Sequence, residues 1–327
     1  MANLKWIASL ILAVTVVSAL AAETRCPGNV ESLPFRSVNR YQIVVPVSVN
    51  HSGPYNFLLD TGTQVTTVTP ALAAGLNLPT QGEVTIEGVG SRQSAALAPV
   101  DLIQVGSEGV ANQQVLIYGL QNLHFAGVNI QGILGENFLE HFDMLIDNAH
   151  SLLCLDKSAA MRAAVKGFHI PLAKQDEEAP GALPSMLIVE ARLSDGMRPV
   201  RLKLDSGANS SLLYNVRQYV ALPMYKAAQL CGNGVSGAQC TFLQLPAQEV
   251  KMGSLELSNV SFIAAARAQQ SADFDGLLTL GIFRVHMPHR SFCSPRAALE
   301  AHHTSFAACK RRTPRDYLIS ERQLKSV

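Results

Sequence analysis

Apolar residues fall in short runs bounded by turn signals along most of this chain, the pattern of a mainly β protein. Ile43 to Val49 and Tyr55 to Leu59 are β-branched or aromatic runs separated by His51-Ser52-Gly53-Pro54, which predicts two strands around a turn. Met186 to Arg192 and Val200 to Leu204 repeat that arrangement around Ser194-Asp195-Gly196. Extended structure is expected again from Gln64 to Val68. Thr69-Pro70 predicts a capped short helix through Leu76, because proline at the first helical position gives up no needed hydrogen bond. Phe138, Leu139 and Phe142 share one helical face over Glu136 to Phe142. Met144 to Asp147 and Leu152 to Leu155 read as two further strands, and Lys174 to Pro184 reads as a linker.

The pattern occurs twice. Residues 57–68 read Phe-Leu-Leu-Asp-Thr-Gly-Thr-Gln-Val-Thr-Thr-Val, and residues 202–213 read Leu-Lys-Leu-Asp-Ser-Gly-Ala-Asn-Ser-Ser-Leu-Leu. Asp60 and Asp205 stand 145 apart. Gly88-Val89 and Gly234-Val235 follow at an offset of 146, Gly106-Ser107 and Gly253-Ser254 at 147, and Gly132-Ile133-Leu134 and Gly276-Leu277-Leu278 at 144. Four landmarks at nearly one offset predict two copies of one unit.

Asp-Thr-Gly after a strand is commonly turn chemistry, since Asp caps its own backbone and Gly adapts to tight turns. Here each Asp ends an apolar run, where an ionised carboxylate is costly without a partner. Two copies packed face to face would supply that partner. Carboxylates about 3 Å apart share one proton, so the pair can act as base toward a water and as acid toward a carbonyl. The hydroxyls of Thr61 and Ser206 are placed to hydrogen-bond across such a junction.

At these residues the chain resembles the aspartic proteases, specifically the retroviral-type fold duplicated in one bilobal chain. The resemblance spans roughly residues 41–285 and rests on Asp60-Thr61-Gly62-Thr63, Asp205-Ser206-Gly207-Ala208 and Ile133-Leu134-Gly135. It implies two β-barrel lobes with an active-site cleft between them: lobe one at 41–157, a linker at 158–184 and lobe two at 185–285. Asp60 and Asp205 would be catalytic, with Thr61, Gly62, Thr63, Ser206, Gly207 and Ala208 supporting the loops. Gly88, Val89 and Gly90, with Gly234, Val235 and Ser236, would form flap tips. The implied activity is hydrolysis of peptide or protein substrates by an endopeptidase, without metal or cofactor. Two alternatives stay open: a catalytically silent peptide-binding protein, and a site formed by dimerisation of lobe one.

Two features depart from the family. Copy two has Thr279 where copy one has Gly135, or its glycine is displaced to Gly281. After Arg284 the expected closing strands give way to a basic stretch, a divergent extension or the product of a changed reading frame. Its residues 286–327 are expected to be loosely ordered, against a competing helix from Pro295 to Ala308.

Composition sets the compartment and removes some classes. The 327 residues carry 26 Lys+Arg and 25 Asp+Glu, a net charge of +1 that argues against non-specific nucleic-acid binding. Lys5, the apolar run Ile7 to Val17 and Ala19-Leu20-Ala21 predict a signal peptide over 1–21, cleaved near Ala21, followed by an N-terminal segment to residue 40. The run is too short to span a bilayer, so the mature protein is expected to be secreted or periplasmic with no stable membrane span, an uncleaved anchor being the competing reading. In an oxidising compartment Cys231 and Cys240, flanking a glycine-rich turn, are candidates for a hairpin disulfide. No Cys/His array, HExxH, Gly-x-Ser-x-Gly or dinucleotide fingerprint is present.

Overall fold

The computed structural model describes residues 25–39, 41–88, 91–120, 127–158, 160–165, 168–173, 186–214, 216, 230–234, 237–265, 274–281, 284–287 and 316–319. The expected signal segment 1–21, residues 174–184 of the expected linker 158–184, and the 295–308 stretch lie outside them.

The chain is mainly β, and among the described residues its strands form sheets of eight, nine and six. In the eight-stranded sheet, Gln42–Val49 and Ser52–Leu59 form a hairpin whose turn residues, Asn50 and His51, both have positive φ, as the tight turn of a twisted hairpin requires. Ser52–Leu59 then pairs in parallel with Gly132–Leu134, register Phe57 to Gly132 and Leu59 to Leu134. Gly132–Leu134 also pairs antiparallel with Thr67–Val68, which is parallel to Glu108–Ile117. The nine-stranded sheet repeats these pairings. Val200–Asp205 lies parallel to Gly276–Thr279, that strand lies antiparallel to Ser211–Tyr214, and Ser211–Tyr214 lies parallel to Phe262–Ala265.

A strand squeezed between two others explains the apolar-run signatures. Phe57, Leu58, Leu59, Ile133 and Leu134 are buried, as expected for strands covered on both faces. A Cβ on Gly132 would lie 2.6 Å from the Thr67 carbonyl and collide with the Phe57 ring; one on Gly276 would collide with the Leu212 carbonyl. Glycine at both positions answers to close backbone approach.

The helices follow the expected signals, Pro70–Gly75 with Leu72 N donating to Thr69 Oγ1 (3.3 Å), and Glu136–Leu139. Gln64 to Val68 is extended only at Thr67–Val68, because Thr66 is turned to bond Asn137: its amide and hydroxyl each donate to Asn137 Oδ1 at 2.8 Å.

The six-stranded sheet corrects the expectation for the end of the chain. Its order is Leu33–Pro34, Leu152–Asp156, Asp143–Asp147, Arg284–Met287, Asp316–Ile319, Phe168–Pro171. Arg284–Met287 pairs antiparallel with Asp143–Asp147, so the chain does form a strand at Arg284, where the closing strands were expected to be missing. Asp316–Ile319 pairs with Arg284–Met287 on one side and Phe168–Pro171 on the other, so residues 286–327 are not uniformly loose. Main-chain pairing within a sheet does not need the side-chain alternation whose absence suggested otherwise.

A disulfide joins Cys26 to Cys154 across a sequence separation of 128, tying the N-terminal segment to the six-stranded sheet. This pairing was not among the sequence expectations. Cys231 and Cys240 lie on the strands Leu230–Gly234 and Gly237–Gln244, and their side chains lie outside the described residues. Replacing Cys26 and Cys154 together by alanine is expected to cost about 2–4 kcal/mol, read as a lower denaturant midpoint.

Candidate active site

Each buried strand delivers its aspartate at the point where the two halves meet. Asp60 N donates to the Leu134 carbonyl (3.0 Å), and Leu280 N donates to the Asp205 carbonyl (3.2 Å), so the strand threaded beside each loop fixes its backbone. The loops then lock reciprocally. Thr61 N donates to Ser206 Oγ (3.1 Å) and Ser206 N to Thr61 Oγ1 (3.0 Å). Thr61 Oγ1 donates to the Leu204 carbonyl (3.0 Å) and Ser206 Oγ to the Leu59 carbonyl (2.8 Å). Each hydroxyl both donates and accepts, and both side chains are buried. Ser206→Ala would remove two of these bonds and orphan the Thr61 amide. The expected loss is about 1–3 kcal/mol of stability, visible as a lowered melting temperature.

The glycines bring each loop against the opposite carboxylate. A Cβ on Gly62 would lie 2.5 Å from Asp205 Oδ2, and one on Gly207 would lie 2.6 Å from Asp60 Oδ2. Two donors from opposite halves hold the glycine carbonyls as well. Gln42 Nε2, itself held by Asn39, donates to the Gly207 carbonyl (2.5 Å), and Lys203 Nζ donates to the Gly62 carbonyl.

The two aspartates are not equivalent. Asp60 is half-buried and accepts from Gly62 N (2.7 Å) and from the Thr63 hydroxyl (2.8 Å). Asp205 is buried at 8% exposure and accepts from Ala208 N (2.8 Å), and Ala208 has no hydroxyl to match Thr63. Burial first, and the charge of Asp60 second, push Asp205 up to about 7, against the pull of Lys203 and of the loop amides. Asp205 therefore keeps a proton at a pH where an ordinary carboxyl has lost it. A carboxyl that keeps its proton toward neutral pH, set against a second aspartate across the junction, is equipment for general acid–base chemistry.

Thr279 turns out to support its loop. Its Oγ1 donates to the Ala208 carbonyl (2.7 Å) and its amide donates to Ser211 Oγ (3.3 Å), as Gly135 N donates to Thr66 Oγ1 (3.1 Å) in the other half. At Gly135 a Cβ would lie 2.9 Å from the Thr63 carbonyl and the Thr66 amide, so only that half demands glycine.

The expected flaps are hairpins. Glu83–Gly88 pairs with Ser91–Val105, with Gly88 opposite Ser91, and Leu230–Gly234 pairs with Gly237–Gln244, with Gly234 opposite Gly237. Val89, Gly90, Val235 and Ser236 lie outside the described residues. Among the described residues no group of three or more His, Cys, Asp and Glu is gathered to hold a metal ion, and no helix is long and apolar enough to cross a membrane. Sequence reasoning missed Gln42 and Lys203. The signal for Lys203 was present: a lysine inside Leu202-Lys203-Leu204, where the first copy has Leu58.

Residues 45–138 match the aspartyl protease family. A retropepsin-like aspartic protease from Rickettsia conorii matches over 38% of this chain and 89% of its own, at 17% identity and a TM-score of 0.28. No curated protein matches the chain. The matched segment, residues 45–138, holds the Asp60 loop, so this part of the chain is similar to the aspartyl proteases.

Proposed function

We propose that this protein is an exported aspartic endopeptidase built from a duplicated unit, with Asp60 and Asp205 as its catalytic pair. In the resting state the pair holds one proton, on Asp205. Asp60 takes a proton from a water as its oxygen attacks the scissile carbonyl carbon, and Asp205 gives its proton to the carbonyl oxygen. The neutral tetrahedral adduct collapses when the protonated Asp60 delivers its proton to the leaving amine nitrogen. A hydroxyl proton of the adduct returns to Asp205 as the new carboxylic acid forms. Protons balance, and no covalent bond to the enzyme is made.

The observation that carries this reading is the reciprocal Thr61–Ser206 lock, which sets two Asp loops of one chain against each other. The same contact favours a single-chain site over one assembled from two copies of the first half. The Cys26–Cys154 disulfide supports export, because such bonds persist in oxidising compartments.

The test is a peptide-library digest by the mature protein from acid to neutral pH, beside Asp60→Asn and Asp205→Asn. Cleavage by the wild type that falls to background in both variants, with specific activity unchanged on dilution, is expected. Equal cleavage by all three proteins would overturn the assignment, and loss of specific activity on dilution would overturn the single-chain site.

A further inference from the structure

Lys203 is a charge where the fold has no need of one. It lies in Val200–Asp205 between Leu202 and Leu204, two positions before Asp205, and is 8% exposed. The matching position of the first half is Leu58, which packs into an apolar cluster with Val38, Val44, Leu120, Ile130 and Ile133. A leucine thus satisfies that strand position in one half, while in the other an ammonium is taken out of water at a cost in desolvation. Something must offset that cost.

Its contacts say what does. Nζ donates to the Gly62 carbonyl of the opposite loop and lies 5.3 Å from the centre of the Phe274 ring, within cation–π reach. Gly62 is the residue whose own amide donates to Asp60 Oδ1, and its neighbour Thr63 donates to Asp60 Oδ2. A hold on the Gly62 carbonyl therefore orients the peptide that links both Asp60 donors. Gln42 holds the Gly207 carbonyl in the same manner but brings no charge. The charged groups acting on Asp205 are Asp60 from the facing loop and Lys203 from its own strand.

We propose that Lys203 is a positioning residue of the aspartate pair, clamping the Asp60 loop through Gly62 and balancing with its ammonium the single negative charge that the pair carries. The proposal rests on the reading of Asp60 and Asp205 as a proton-sharing pair. With one proton shared, the pair and Lys203 together are neutral, which is how a buried site can keep a carboxylate ready to act as base.

The test uses the full chain with 13C-labelled aspartate carboxyls, the signals being assigned with Asp60→Asn and Asp205→Asn. Lys203→Met removes donor and charge in a side chain of similar length, Lys203→Gln removes the charge and leaves a shorter neutral donor, and Lys203→Arg keeps the charge. The carboxyl titrations of the pair are expected to move up by about one pH unit in Lys203→Met and Lys203→Gln and to stay near wild type in Lys203→Arg. The limbs of the kcat/KM pH profile should move with them. Should Lys203→Met fail to fold, Lys203→Gln supplies the same measurement. Unchanged titrations in the charge-removing variants overturn the proposal. A wild type without turnover whose titrations nonetheless shift on substitution would overturn the protease reading and leave the role of Lys203 standing.

Discussion

Asp205→Asn should abolish peptide cleavage and, at the same time, make the fold more stable above neutral pH. Loss of a positioned acid–base group costs roughly 100- to 10,000-fold in rate. The stability effect follows from the raised affinity of Asp205 for its proton. Its ordinary value is 3.8 and in the fold it is held at about 7, so between those limits the folded chain binds a proton that the unfolded chain has released. Stability must fall as pH rises through that window. Below pH 3.8 the penalty is absent, and above about 7 the full cost of the buried charge is present, on the order of 4 kcal/mol for a shift of this size. Asparagine cannot ionise, yet its Oδ1 can still accept from Ala208 N. The melting temperature of the wild type should therefore decline from pH 4 to pH 8 relative to that of Asp205→Asn, with the variant the more stable of the two at pH 8. Parallel melting curves across that range would show that Asp205 titrates as an ordinary surface carboxyl.

That coupling explains which parts of the site were legible in the sequence. Asp60 and Asp205 could be found because closely similar three-residue loops occur twice, each after an apolar strand, and a repeat is visible without any knowledge of packing. Gly132 and Gly276 were visible as landmarks for a related reason, since a strand inserted between two others leaves no room for a Cβ. The donors that reach across the junction were not legible. Gln42 is an ordinary polar residue at a strand end until Gly207 is brought to within 2.5 Å of it. Lys203 looks like the exposed alternate of a strand until that face is covered by the facing loop. The Cys26–Cys154 pairing depends on where the N-terminal segment crosses the six-stranded sheet, which no local spacing encodes. Arg284–Met287 and Asp316–Ile319 escaped because their strand character comes from neighbours that supply main-chain partners on both sides. Local propensity carried the hairpins and the capped helix, while contacts between distant segments carried everything that distinguishes one aspartate from the other.

The loop glycines offer the other large effect. Gly62 and Gly207 do not need positive φ; what they need is the absence of a side chain. At Gly207 a Cβ would stand 2.6 and 2.7 Å from the two oxygens of Asp60, and at Gly62 it would stand 2.5 and 2.8 Å from those of Asp205. Real Cβ contacts do not come so close, so either the carboxylate leaves its donors or the loops separate. If Asp60 moves, it gives up Gly62 N and the Thr63 hydroxyl; if the loops separate, the two Thr61–Ser206 bonds and the bonds of their hydroxyls to the Leu204 and Leu59 carbonyls lengthen together. Both routes misplace the pair by a distance of the order of an ångström, which costs about 100-fold when reacting groups must be aligned. Gly207→Ala and Gly62→Ala should each lose at least about that factor in kcat/KM, while stability falls by only about 1–3 kcal/mol as the junction repacks. Gly75→Ala is the control. It ends the helix Pro70–Gly75 with nothing within 4 Å of the added carbon, so its activity should match wild type. If the two loop variants cleave peptides as fast as Gly75→Ala does, the aspartates do not face each other across these glycines, and the site must be sought elsewhere on the chain.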